Sequence, residues 1–192
     1  MDRFSIYLTG VGGQGIGLLS EIILRAADHA GHGVKGVDTH GLAQRGGIVV
    51  SCIRIGEKIH TPLIPAGKAD LVIALECHEA LRGLNEALGD GGALVWYDTA
   101  WQPLEVRMGA ADPVGREKIA EACKGRNIRE IAVSKPDLSD SRMQNIVLLA
   151  ALARAGLIPE IEIEDYARAM EDLMSGEMLR ENMALFRAEA AG

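Results

Sequence analysis

Apolar positions along this chain fall into two patterns: short unbroken runs, and stretches that recur every three to four residues. Phe4-Ser-Ile6-Tyr7-Leu8-Thr9 reads as a short buried strand. From Ile16 to Ala30 the apolar positions Ile16, Leu19, Ile23, Ala26 or Ala27 and Ala30 keep helical spacing, with Glu21 and Arg25 as an outer i,i+4 pair. Gly31 and Gly33 end that helix, and Val34–Asp38 reads as a second strand. A β-branched run, Ile48–Ile55, follows where a dinucleotide-binding fold would place another helix. Gly56-Glu57-Lys58 reads as a turn and Ile59–Ile64 as a short return strand carrying Pro62, which together predict a hairpin.

Further strands are predicted at Ala69–Leu75, Ala93–Tyr97, Leu104–Met108 and Ile128–Val133. Helices are predicted at Glu76–Leu88, at Pro113–Lys124 with Asp112 as cap, and from Asp140 or Ser141 through Ala153. Ile163–Met174 and Met178 to about Ala188 read as two amphipathic closing helices. The acidic run Glu160–Asp165 suits the positive end of the first of them. The expected fold is α/β: three layers, α/β/α, around a mixed, mostly parallel sheet, with a Rossmann-like first βαβ unit and a hairpin inserted after strand two. All 192 residues are expected to form one domain, the last two helices (about 163–189) packing on the same core.

Composition narrows the function classes. A net charge of −7 and 4% aromatic residues argue against nucleic acid or an anionic membrane as partner. No apolar run approaches the roughly 18 residues that span a bilayer. Cys52, Cys77 and Cys123 stand far apart with no C-x-x-C, so no iron–sulfur or zinc motif is present. Isolated cysteines and the absence of a charged-then-apolar leader suggest a reducing cytoplasm.

Chemistry is expected at the carboxyl ends of the strands, where open α/β sheets meet ligands and partners. Gly10-Val-Gly12-Gly13-Gln14-Gly15 is a strand–turn–helix connection able to aim backbone N–H groups outward. Gly10, Gly12 and Gly15 fit G-x-G-x-x-G, and Asp38 lies 23 residues beyond Gly15, the spacing of a dinucleotide fingerprint. The same turn also serves as a plain structural connection, or as a backbone contact to an anion or a partner. The segment Thr39-His40-Gly41-Leu42-Ala43-Gln44-Arg45-Gly46-Gly47 presents Gln44 and Arg45 between glycines, fit for an anion or another chain. Glu76-Cys77-His78-Glu79 has metal-ligand residue types, but neighbours on a helix point apart, so no metal site is expected. Gly89-Asp90-Gly91 reads as a turn, since the next asparagine, Asn127, is too far along for a thiamine-diphosphate signature. Asn145 reads as a satisfied core amide. No nucleophile–base pair recurs at a known spacing, and no catalytic residue is assigned.

Gly10-Val-Gly-Gly-Gln-Gly15, Thr39-His-Gly-Leu-Ala-Gln-Arg-Gly-Gly47, and Pro62-Leu-Ile-Pro65 with Ala69-Asp70-Leu71 resemble the gamma domain of the 2-oxoacid:ferredoxin oxidoreductases over nearly the whole chain. Within that family the T-H-G-x-A-Q-R-G-G form is similar to the indolepyruvate-type beta subunits; the pyruvate-type gamma subunits differ before the shared R-G-G. The resemblance implies a heteromeric enzyme. A large alpha subunit would hold thiamine diphosphate and [4Fe-4S] clusters, coenzyme A would take the acyl group and ferredoxin the electrons. This chain would carry no cofactor of its own. Gly12, Gly13, Gln14, Gly15, His40, Gln44, Arg45, Gly46 and Gly47 are then the candidate contacts to the alpha subunit, coenzyme A or substrate. Three other readings compete: the gamma subunit of a pyruvate- or other 2-oxoacid-specific ferredoxin oxidoreductase, a stand-alone Rossmann-like NAD(P)- or FAD-binding protein, and a scaffold that only positions the alpha subunit.

Overall fold

A computed structural model describes residues 1–40, 47–101, 108–109, 112–138 and 140–192; at position 40 it describes the backbone alone. Six strands form one sheet: β1 (Phe4–Val11), β2 (Val34–His40), β3 (Ile48–Ile55), β4 (Ala69–Ala74), β5 (Leu88–Tyr97) and β6 (Arg129–Val133). The sheet order is β2-β3-β1-β4-β5-β6. β1, β4, β5 and β6 run parallel, and β3 runs antiparallel to both of its neighbours. The helices are α1 (Ile16–His29), α2 (Cys77–Glu86), α3 (Arg116–Gly125), α4 (Gln144–Arg154), α5 (Ile163–Leu173) and α6 (Gly176–Ala191).

The two faces of the sheet account for the two apolar patterns. Ile6, Leu8, Ile53, Ile55, Leu71, Ile73 and Val95 point to one face and pack with α1, α4, α5 and α6. Val72, Ala74, Leu94 and Trp96 point to the other and pack with α2 and α3. Alternation along β1 and β4 therefore sends consecutive side chains into different cores. Helix α4 is buried from Asn145 to Ala153, because it lies between the sheet and the two closing helices. That sandwiched position is why its sequence is apolar all round. None of the helices among the described residues is long and apolar enough to cross a membrane.

The expected βαβ unit is present but split. β2 does not lie beside β1; β3 occupies the slot between them and pairs with both. The hairpin is accordingly β2–β3. Ile59–Ile64, expected as a return strand, is not in the sheet. Both edges of β3 are already taken, so a return strand has nothing to pair with. Instead the segment is held by side chains of the sheet: the Arg54 guanidinium donates to the Thr61 and Leu63 carbonyls at 3.2 and 3.4 Å.

Three other boundaries shift. Glu76 is not inside α2 but caps it in an extended conformation (φ −164°, ψ 167°). Leu88 belongs to β5, and Gly89-Asp90-Gly91, expected as a turn, lies inside that strand where the register against β4 jumps from Ala69–Leu88 to Leu71–Ala93. Glycine is required in this bulge: a Cβ on Gly92 would stand 2.8 Å from the Asp70 carbonyl oxygen. Helix α3 starts at Arg116 behind Gly115, not at Pro113 behind Asp112. Glu162 and Asp165 form a capping box on α5, as the acidic run suggested. Asp140 caps a short 3-10 turn, Ser141–Met143, that leads into α4. The strand expected at Leu104–Met108 falls on residues of which 102–107 lie outside the described ones.

Candidate functional site

Helix α1 leaves β1 toward one face of the sheet, and α2 leaves β4 toward the other. The carboxyl ends of β1 and β4 therefore flank the topological switch point, where an open α/β sheet forms a crevice. Gly10–Gly15 and Leu75-Glu76 meet there.

Gln14 organises the turn. It is 4% exposed. Its Oε1 accepts the Val11 N–H at 2.7 Å, and its Nε2 donates to the Leu75 carbonyl at 3.0 Å. One side chain thus closes the turn and ties it to β4. A Cβ on Gly10 would lie 2.9 Å from that same Oε1 and 3.0 Å from the Leu75 Cβ, so only glycine lets the two strand ends approach. Gly15 caps α1 with φ 78°. The Asn145 carboxamide donates to the Gly15 carbonyl at 3.3 Å, which joins α4 to the site and satisfies the buried amide.

The second candidate segment arrives at the same place. β2 ends and β3 begins at the carboxyl edge, and Val11 pairs with Ile48. The Gly12 N–H donates to the Gly47 carbonyl at 2.9 Å. Gly12, Gly13, Gln14, Gly15 and Gly47 are thereby brought together. Gln44, Arg45 and Gly46 lie outside the described residues, as does the side chain of His40. The dinucleotide reading loses its geometry here. With β3 between β1 and β2, Asp38 stands a further ~5 Å from the glycine turn than an adjacent second strand would place it.

A buried polar network continues the site behind Leu75. Glu76 is fully buried. Its Oε1 accepts the Glu79 N–H, and its Oε2 lies 2.9 Å from His78 Nδ1 and accepts the Trp101 N–H at 3.3 Å. The Thr9 hydroxyl donates to Glu79 Oε2 at 2.7 Å, and Arg82 Nε lies 3.2 Å from Glu79 Oε1. The expectation that Glu76, Cys77 and His78 point apart is wrong. Their donor atoms lie within 4.8 Å of one another. Glu76 precedes the helix, so its side chain folds back over the first turn. The carboxylate and the imidazole are both engaged in hydrogen bonds, which makes the cluster a cap and not an open ligand set. Thr9, Glu76 and Glu79 were not singled out for this role in the sequence. The readable signal was a glutamate directly after an apolar strand with another three residues later.

Burial raises the Glu79 carboxyl above its ordinary value of 4.5, against the opposing pull of the Thr9 hydroxyl and Arg82. The folded state therefore holds that proton more tightly than the unfolded chain, and stability attributable to Glu79 increases as pH falls from the raised native value toward 4.5. Glu79→Gln should remove this dependence. Denaturant melts at several pH values check it: the stability of the native chain relative to the variant should rise on acidification, and a constant difference would refute the assignment.

Burial pushes the Cys77 thiol up to about 12 and the Cys123 thiol up to about 11. Both sit in the apolar layer between the sheet, α2 and α3.

The profile of the family described as pyruvate ferredoxin/flavodoxin oxidoreductase matches residues 5–191. The chain belongs to this family. Among similar family members is the indolepyruvate oxidoreductase subunit IorB of Thermococcus kodakarensis, 34% identical over 175 residues that cover 88% of this chain and 86% of that one. The subunit of the same name from Methanothermobacter thermautotrophicus is 34% identical over 196 residues, covering 96% and 95%. Pyruvate oxidoreductase subunit PORC of Thermotoga maritima shares the fold with a TM-score of 0.66 at 22% identity, over 100% of this chain and 97% of that one. The same fold makes up 31% of a longer chain of the 2-oxoglutarate:ferredoxin oxidoreductase of Magnetococcus marinus, with a TM-score of 0.66 at 20% identity.

Proposed function

We propose that this chain is the indolepyruvate-type subunit of a cytoplasmic 2-oxoacid:ferredoxin oxidoreductase and forms one wall of its active site. A large alpha subunit binds thiamine diphosphate and the [4Fe-4S] clusters. The substrate is an arylpyruvate, coenzyme A accepts the acyl group, carbon dioxide leaves, and the electron pair passes to ferredoxin. The observation that carries the reading is the Gly12 N–H bond to the Gly47 carbonyl, which joins both family motifs at the switch point. The indolepyruvate assignment rests on the two IorB relatives at 34% identity.

Thiamine diphosphate, when bound in the complex, supplies the electron sink for decarboxylation. The residues of this chain bind and orient. Gln14 fixes the glycine turn against β4, and Gly47 anchors the Asp38–Gly47 segment to that turn. Arg45 supplies a guanidinium for a coenzyme A phosphate or a substrate carboxylate, both of which it can bind bidentately. Gln14 and His40 orient that segment.

Arg45→Ala should cut the kcat/KM of the reconstituted complex for arylpyruvate by about tenfold or more, since a charge-assisted contact is worth roughly 1.5–3 kcal/mol. The melting curve of the isolated chain should not change. Unchanged turnover removes Arg45 from the site. An assembly defect with normal turnover per assembled complex favours the scaffold reading. Saturable binding of NAD(P) or FAD by the isolated chain, followed by calorimetry, favours the stand-alone reading.

A further inference from the structure

We propose that His78 is a positioning residue whose neutral imidazole, protonated on Nδ1, clasps two separate segments onto the start of α2, and that protonation of the ring releases one of them. The hydrogen-bond pattern sets the tautomer. Nδ1 lies 2.9 Å from Glu76 Oε2, and both oxygens of Glu76 already act as acceptors, from the Glu79 and Trp101 N–H groups, so Nδ1 carries the proton. Nε2 accepts the Val114 N–H at 3.3 Å, so it carries none. The same Glu76 oxygen accepts the Trp101 N–H at 3.3 Å, and the Cys77 N–H donates to the Thr99 carbonyl at 2.9 Å. Trp101 and Thr99 follow β5, and Val114 precedes α3. One Glu–His pair thus holds the chain on both sides of that connection, immediately after Leu75 and the switch point.

The position of the helix start supports the assignment. Pro113 has the local chemistry of a first helical residue. α3 nevertheless begins at Arg116, and Val114 gives its N–H to the imidazole. Protonation puts an N–H on Nε2, facing the Val114 N–H donor. That contact is lost, while the bond from Nδ1 to Glu76 is kept and gains charge. The titratable groups touching the ring are Glu76 and the Cys77 thiol, 3.4 Å from Nδ1. On the two clasped segments the charged groups are Asp98, Asp112 and Arg116, of which Asp98 and Arg116 are paired at 3.6 Å. This pair bridges the same two segments independently of the ring, so the release is local to Val114. The clasp is a property of this chain alone, and its test stands apart from the reaction proposed above.

Imidazole nitrogen chemical shifts of the purified full chain, assigned by comparison with His78→Gln, should show the Nδ1–H tautomer near neutral pH. Hydrogen exchange at Val114, taken as the ratio of the native chain to His78→Gln, should rise tenfold or more as the pH is lowered and the nitrogen shifts report protonation of the ring. Glutamine offers a donor and an acceptor but does not titrate, so the variant should stay protected throughout. An Nε2–H tautomer, or a ratio that stays flat across the titration, overturns the proposal. Where the variant does not fold, Val114 exchange followed against the nitrogen titration of the native ring decides the same question.

Discussion

Glu76→Ala should destabilise the isolated chain by about 3 kcal/mol. The substitution removes the cap of α2, worth about 1 kcal/mol. It also leaves the Trp101 N–H and His78 Nδ1 without their partner in a partly buried setting, at roughly 1–3 kcal/mol per unsatisfied group, less whatever water enters. For a chain of this size each kcal/mol moves the melting temperature by about 2–4 °C, so a fall of about 6–12 °C is expected by calorimetry. Glu76→Gln keeps the shape and one acceptor oxygen. Its one amide oxygen cannot serve both the Glu79 N–H at the Oε1 position and Trp101 with His78 at the Oε2 position, so it should lose less than the alanine variant and more than nothing. An alanine variant that melts with the native chain would mean that the network does not hold the carboxyl edge together.

Gly15→Ala is the second large effect, again about 3 kcal/mol. A residue with a side chain at φ 78° costs roughly 1–2 kcal/mol in the left-handed region. The new Cβ would also stand 2.5 Å from Asn145 Nδ2, and Asn145 is itself buried. The carboxamide must swing away and give up its bond to the Gly15 carbonyl, at a cost in the range of about 1–3 kcal/mol for overpacking. A second substitution separates the two terms. Asn145→Ala removes the obstacle, so the double variant should be less destabilised than the sum of the singles by about 1–2 kcal/mol in a thermodynamic cycle. Gly13→Ala is the control: its φ is 108°, but nothing lies within 4 Å of the new Cβ, so only the backbone term remains. Additive single variants would remove Asn145 as the partner of Gly15. In the reconstituted complex, Gly15→Ala should also lower turnover, since it displaces the turn that Gln14 holds against β4.

Much of the site was readable without coordinates, though not the roles within it. The glycine turn is legible because tight reversal and close approach exclude side chains, and both constraints act over six consecutive residues. Gln14 belongs to that motif, yet nothing in its neighbours says that it turns inward to bond β4. Glu76 was placed inside a helix because it opens a helical period. Its carboxylate satisfies more donors from just outside, where it reaches the Glu79 N–H and Trp101 at once. Asn145 was legible as a satisfied core amide, but its partner, Gly15, lies 130 residues away in the chain.

Local periodicity determined where strands and helices lie, because the energy of burying one face is already written into the spacing of apolar residues. It also determined the two motifs that carry the family. Which strand stands beside which was decided only on folding. Inserting β3 between β1 and β2 sacrifices a simple βαβ unit, yet it gives the N–H groups of β3 partners alternately on β1 and on β2. It also delivers Gly47 to the N–H of Gly12. Pairing order depends on hydrogen bonds between residues far apart in the chain, and no window of neighbouring residues contains them.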